Sequence, residues 1–148
     1  MADNKSLVHR WFEEVWNQGR ERTIDELLGK DIVAFGLGEA GTEVHGPAEF
    51  KTFFKNLRNA FPDLHITIED TLAERDEVAV RILIEGTHKG DGLGIPATEK
   101  KFRVSGICVI KLANGKLVVG WNSWDQLGLL QQLGVVPAPK EDPFLEAR

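Results

Sequence analysis

The stretch Phe102–Leu133, FRVSGICVIKLANGKLVVGWNSWDQLGLLQQL, decides the fold. It reads as a strand, a tight turn, a second strand and a short closing helix. Asn114-Gly115 is the strongest short hairpin signal, because such a turn needs positive φ and these two residues tolerate it. Phe102–Leu112 and Leu117–Asp125 are the two arms. Alternation along the first arm puts Val104, Gly106, Cys108 and Ile110 on one face. The same count puts Val118, Gly120, Asn122 and Trp124 on one face of the second. Cys108 and Asn122 therefore lie near each other across the hairpin, give or take a bulge. A polar Asn amid glycine, a thiol and tryptophan points to the wall of a lined pocket. The plainer alternative is a solvent-facing Asn on an edge strand.

Working outward, the chain of 148 residues is long enough for one domain, 1–148, with a real core. The apolar fraction of 42% and charged fraction of 28% are those of an ordinary globular protein. A formal charge of -5 argues against a nucleic-acid partner, since phosphate binding needs a basic face. The single cysteine, Cys108, excludes an internal disulfide and offers no metal-binding thiol pair. No His, Asp or Glu cluster has metal spacing, so no metal is expected. No apolar run reaches membrane-spanning length, and MADNKSLVHR carries no secretory signal pattern, so the cytoplasm is the expected compartment.

Leu7, Val8, Trp11, Phe12, Val15 and Trp16 recur at helical spacing, with Asn4 or Ser6 as cap and Gly19 as stop. Thr23-Ile24-Asp25-Glu26 has capping-box spacing and predicts the start of a second helix. Asp31–Leu37 predicts a short strand and Gly36–Gly46 a loop. Pro47 opens a third helix whose apolar stripe is Phe50, Phe53, Phe54, Leu57 and Phe61, and Pro62 ends it. Alternation from Leu64 and again over Val78–His88 predicts two strands, with Arg75-Asp76 as the turn between them. Lys89–Lys100 reads as a loop, and residues 137–148 as a weakly ordered tail. Helices followed by a run of strands predict an α+β fold: a curved antiparallel sheet forming a cone, with three N-terminal helices on its concave face. Glycines at 86, 106 and 120 let such strands bend. A cone of this kind has a cavity suited to a hydrophobic small molecule.

Several stretches together resemble one family. They are Gly86-Thr87-His88-Lys89-Gly90, Leu93-Gly94-Ile95-Pro96-Ala97-Thr98, and the ending Trp121-Asn122-Ser123-Trp124-Asp125-Gln126-Leu127-Gly128-Leu129-Leu130-Gln131-Gln132-Leu133-Gly134. Phe50-Lys51 and Phe61-Pro62-Asp63-Leu64 fit as well. The resemblance is to the SnoaL-like polyketide cyclases, or ester cyclases, and it covers nearly the whole chain. It implies a nuclear transport factor 2-like cone and an intramolecular aldol ring closure of a polyketide methyl ester without metal or organic cofactor. It also implies an Asp as general acid/base with a His across the hairpin. Aligned on Asn114-Gly115-Lys116, the Asp position falls on Asn122 and the His position on Cys108. An Asn cannot exchange a proton near neutral pH; it orients or donates.

The candidate catalytic residues are therefore Asn122, His88 and Asp125, and the candidate ligand contacts are Cys108, Trp124, Phe35 and Phe54. His88 is the best remaining titratable group, at a strand end on the same face as Val80, Ile82 and Ile84; the alternative is a rim histidine bonded to backbone. Asp125 either caps the last helix or is turned into the pocket by a bulge. Of Trp121 and Trp124, one is expected in the pocket and the other on the outer sheet face. Ile107, Val109, Val119 and Trp121 make that outer face apolar, which predicts a homodimer. Three functions compete: a cofactor-free cyclase or isomerase, a non-catalytic module for a small ligand, and a structural dimer.

Overall fold

Asn114 and Gly115 both adopt positive φ, 53° and 75°. They join β5 (Lys101–Ala113) to β6 (Lys116–Trp124). Cys108 sits directly opposite Asn122, Gly106 opposite Trp124, and Val109 opposite Trp121. The register shifts between Lys111 and Leu112, so that Leu112 faces Leu117 and Val118 is the extra residue. That bulge corrects the alternation: Leu117, buried like Leu112, takes the inward place assigned to Val118. The computed structural model describes residues 3–38, 42–138, 140, 142, 144 and 145, so half of the predicted tail lies outside the described residues.

The remaining strands are β1 (Leu28–Phe35), β2 (Glu43–His45), β3 (His65–Glu74) and β4 (Glu77–Thr87), in the order β2-β1-β6-β5-β4-β3. β3 to β6 form the expected antiparallel meander. β1 pairs parallel with β6, and β2 pairs antiparallel with β1 inside the stretch read as loop. β1 begins three residues before the expected Asp31, because Leu28 closes the preceding helix already in extended conformation. Alternation in β4 buries Val78, Val80, Ile82 and Ile84 on the inner face.

The first helical segment is α1 (Asn4–Arg10) running on into a π-helix, Trp11–Asn17. Trp11, Phe12, Val15 and Trp16 are all buried along its inner face. The cap is Asp3, whose carboxylate accepts the Ser6 N–H at 2.8 Å, in place of Asn4 or Ser6. α2 (Glu21–Leu27) starts before the predicted capping box. Thr23 is fully buried there, and its hydroxyl donates to Glu14 at 2.7 Å instead of capping. α3 (Gly46–Ala60) carries Pro47 in its first turn and ends before Phe61-Pro62 as predicted. α4 is Gln126–Gln132.

The first helical segment and α3 meet through aromatic rings: Trp16 packs on Phe54 at 5.6 Å and on Phe50 at 5.7 Å, and Trp11 on Phe50 at 5.1 Å. Burying each such ring contributes about 1.5–3 kcal/mol. Two amide side chains finish the sheet. Asn17 exchanges both hydrogen bonds with the Ile66 backbone on edge strand β3, at 2.7 and 2.9 Å. Gln132 does the same for Arg103, which lies beyond the last residue of β6, at 2.8 and 3.1 Å.

Candidate functional site

The inner sheet face and the helices enclose two small voids of about 50 Å³ each. The first is walled by Phe12, Trp16, Phe53, Phe61, Phe102 and Trp124, with Leu37, Ile82, Ile84 and Cys108 between the rings. The second lies toward β1 and shares Phe12, Trp16, Leu37 and Asn122 with the first. Asn122 therefore stands where the two voids meet. A water needs about 10–15 Å³ of such space, whereas small-molecule sites run to roughly 300–1,000 Å³. The cone is thus nearly filled by its own side chains, and a ligand of several rings needs them to move.

Asn122 is fixed by the parallel strand beside it. Its Nδ2 donates to the Phe35 carbonyl at 2.9 Å. Trp124 Nε1 donates to the Leu37 carbonyl at 3.0 Å, and Gln126 Nε2 to the Gly38 carbonyl at 2.7 Å. Three alternate residues thus stitch the chain leaving β1 to the end of β6, where the backbone ladder has stopped. Gly36 makes the approach possible: at φ 76°, a Cβ there would sit 1.9 Å from the Asn122 carbonyl oxygen. The Asn122 amide spends one N–H on this bond, which leaves a second N–H and Oδ1 for a ligand.

Cys108, across from Asn122, is buried, and burial pushes its thiol up to about 12. It stays protonated at neutral pH and is no nucleophile there. Neither member of the pair exchanges a proton near pH 7.

Of the other candidates, Trp124 lines the first void as expected and Trp121 takes the outer face. Phe35 is a correction: its ring stacks on Trp121 at 6.4 Å, on the outer side, and only its carbonyl serves the site. The parallel pairing sets Phe35 opposite Trp121. Phe54 is a second correction, because it is buried in the core against Trp16 and its neighbour Phe53 lines the void. Asp125 is a third. It is the N-cap of α4, accepting the Gly128 N–H at 2.8 Å, and lies outside the void's lining. His88 is fully buried behind Phe61 and is not a wall of either void. Sequence reading missed Leu37, Phe12 and Trp16 as walls; all three carry the apolar pattern of a core residue, so nothing separates wall from core in the sequence. Among the described residues, no group of three or more His, Cys, Asp or Glu could hold a metal ion, and no helix is long and apolar enough to cross a membrane.

The family model described as SnoaL-like polyketide cyclase matches residues 6–133. Aklanonic acid methyl ester cyclase DnrD of Streptomyces peucetius is 27% identical over 135 residues, covering 90% of this chain and 92% of that one. Nogalonic acid methyl ester cyclase of Streptomyces nogalater is 27% identical over 120 residues, covering 80% and 89%. A SnoaL-like protein of Jannaschia sp. CCS1 superposes with a TM-score of 0.81 over 90% of this chain and 93% of its own, at 24% identity, a likeness of fold.

Proposed function

The chain belongs to the SnoaL-like polyketide cyclase family, and from that premise we propose that it takes a hydrophobic, polyketide-like ester or ketone into the cone and holds it by a hydrogen bond to Asn122. The observation that carries this reading is the site's composition: aromatic walls around one fixed amide, with Asn122 at the junction of two voids. Cyclase relatives named for methyl esters of aklanonic and nogalonic acid support the ligand class.

The protein's part in ring closure is then positioning. Holding an enolisable carbon against a ketone removes roughly 7–11 kcal/mol of barrier, whereas a side-chain general base contributes about 10²–10⁴-fold. With Asn122 and Cys108 in place of the acid/base pair, the second contribution is gone and the first remains. The reaction is a slow, cofactor-free aldol cyclisation: the new C–C bond forms, the α-proton leaves to solvent, and solvent protonates the alkoxide. The test is product analysis by mass spectrometry and chiral chromatography on an aromatic polyketide methyl ester. Ring closure in wild type that rises in Asn122→Asp, and further with Cys108→His, supports it. Failure of wild type to bind the ester overturns it. Tight binding with no turnover in any variant moves the function to the second reading, a non-catalytic ligand-binding module, which the absence of a proton-exchanging group at Asn122 and Cys108 favours.

The proposed working form is a homodimer in the cytoplasm. The outer sheet face supports the dimer: Ile107 is 54% exposed and Trp121 42%. Light scattering at micromolar concentration should return twice the chain mass, and Ile107→Glu should halve it; a monomeric wild type removes the dimer.

A further inference from the structure

His88 is unused by the reading above, yet its environment is specific. The side chain is fully buried. Its Nδ1 accepts the Thr98 N–H at 3.2 Å and lies 3.0 Å from the Thr98 hydroxyl. A ring nitrogen that accepts a backbone N–H carries no proton, so the neutral ring is protonated at Nε2. That Nε2 is the buried side-chain polar atom left without a partner among the described residues. A desolvated donor without an acceptor is costly, so its persistence asks for a bond made in another state.

The neighbour that matters is Phe61. Its ring packs on the imidazole at 5.7 Å, tilted by 54°, and the same ring is a wall of the first void. One phenyl group thus touches both the apolar cavity and the imidazole ring. Phe61 leans on Phe102 at 4.6 Å, and both crowd Gly86, where a Cβ would come within 3.0 Å of the Phe102 ring.

We propose that His88 Nε2–H is a second polar contact for the ligand, donating to a carbonyl oxygen of a flat aromatic ketone or ester once the Phe61 ring turns aside. This rests on the ligand-binding reading above and extends it: Asn122 holds one oxygen of the ligand and His88 reads another. A purely structural His88 would only pin the loop that begins at its own residue. That work needs Nδ1 on Thr98 and the backbone bonds His88 N–H to Lys100 and Glu99 N–H to His88, both 2.9 Å, and leaves Nε2 idle.

The test titrates protein with isotope-labelled histidine side chains with the methyl ester of anthraquinone carboxylic acid and, separately, with anthracene, which has rings but no oxygen. The His88 Nε2–H resonance should shift with the ester and stay with anthracene. His88→Leu should lose about fivefold to tenfold in affinity for the ester and keep its affinity for anthracene. An ester that saturates the protein without moving the His88 resonance overturns the proposal and leaves the ligand-binding reading standing. Equal shifts with both compounds overturn it too, since they report ring packing and no hydrogen bond. Failure of the ester to bind overturns both readings. Should His88→Leu not fold, the wild-type resonance decides alone.

Discussion

The two polar groups beside the cavity are treated in opposite ways. On the Asn122 side, three side-chain N–H groups at alternate positions each find a backbone carbonyl between Phe35 and Gly38. On the His88 side, one nitrogen is held by Thr98 and the other has no partner among the described residues. A satisfied network fixes a wall and orients what projects from it. An unsatisfied donor behind a single ring fixes nothing, and marks where a partner is missing in this state. The difference separates the rigid part of the site from the part built to change.

The largest expected effect falls on the rigid side. Gly36→Ala drives a Cβ into the Asn122 carbonyl at positive φ, and should cost about 3 kcal/mol or more, read as a fall in urea midpoint. A near-neutral result would show that this wall is soft. Asn122→Asp comes next. To keep donating to Phe35 the carboxyl must hold its proton, so its folded pKa lies above its unfolded value. Relative to wild type, the variant then loses stability as pH rises from the unfolded value, roughly 3.9, to the folded one, by about 1.4 kcal/mol per pH unit of difference. Parallel pH profiles for the two proteins would contradict this.

The soft side should respond less. Phe61→Leu removes part of the partition at about 1–2 kcal/mol in urea unfolding and should tighten binding of aromatic esters by joining the cavity to His88. Stability loss without a gain in binding would erase the contrast between the sides. Asp63→Asn gives the smallest effect. Burial pushes the Asp63 carboxyl up, but the Thr87 hydroxyl and N–H, at 2.8 and 2.7 Å, outweigh it and hold the pKa below the usual value. Its contribution is present above the unfolded pKa and is lost as pH falls through the folded one. Acid titrations monitored by circular dichroism should therefore show a shallower loss below about pH 4 in the variant.

Much of this was legible in the residues. The Asn-Gly turn brought Cys108 and Asn122 near each other by counting, and the bulge at Val118 is what sets them directly opposite. What counting missed has identifiable causes. The Val118 bulge shifts one arm by a residue, and no residue type there announces it. Phe35 faces outward because of a parallel pairing with a strand more than 80 residues away, a long-range register that local alternation cannot supply. Phe53 and Phe54 belong to the same helical stripe, and only the packing of Trp16 separates wall from core. Asp125 had two readings, and the hydrogen bond to Gly128 chose the cap. His88 was on the predicted face, but its burial and its tautomer depend on Thr98, ten residues along a loop without periodicity.

Asn17 and Gln132 have a consequence beyond the fold. Each presents a carboxamide whose N–H and C=O mimic one residue of a neighbouring strand, one on edge strand β3 and one past the end of β6. Open backbone groups at such places are templates on which another chain can add a strand. An amide already seated there ends the ladder: it offers the backbone a partner and then presents only side-chain carbon to whatever approaches. Two residues thus blunt edge-to-edge addition at Ile66 and Arg103.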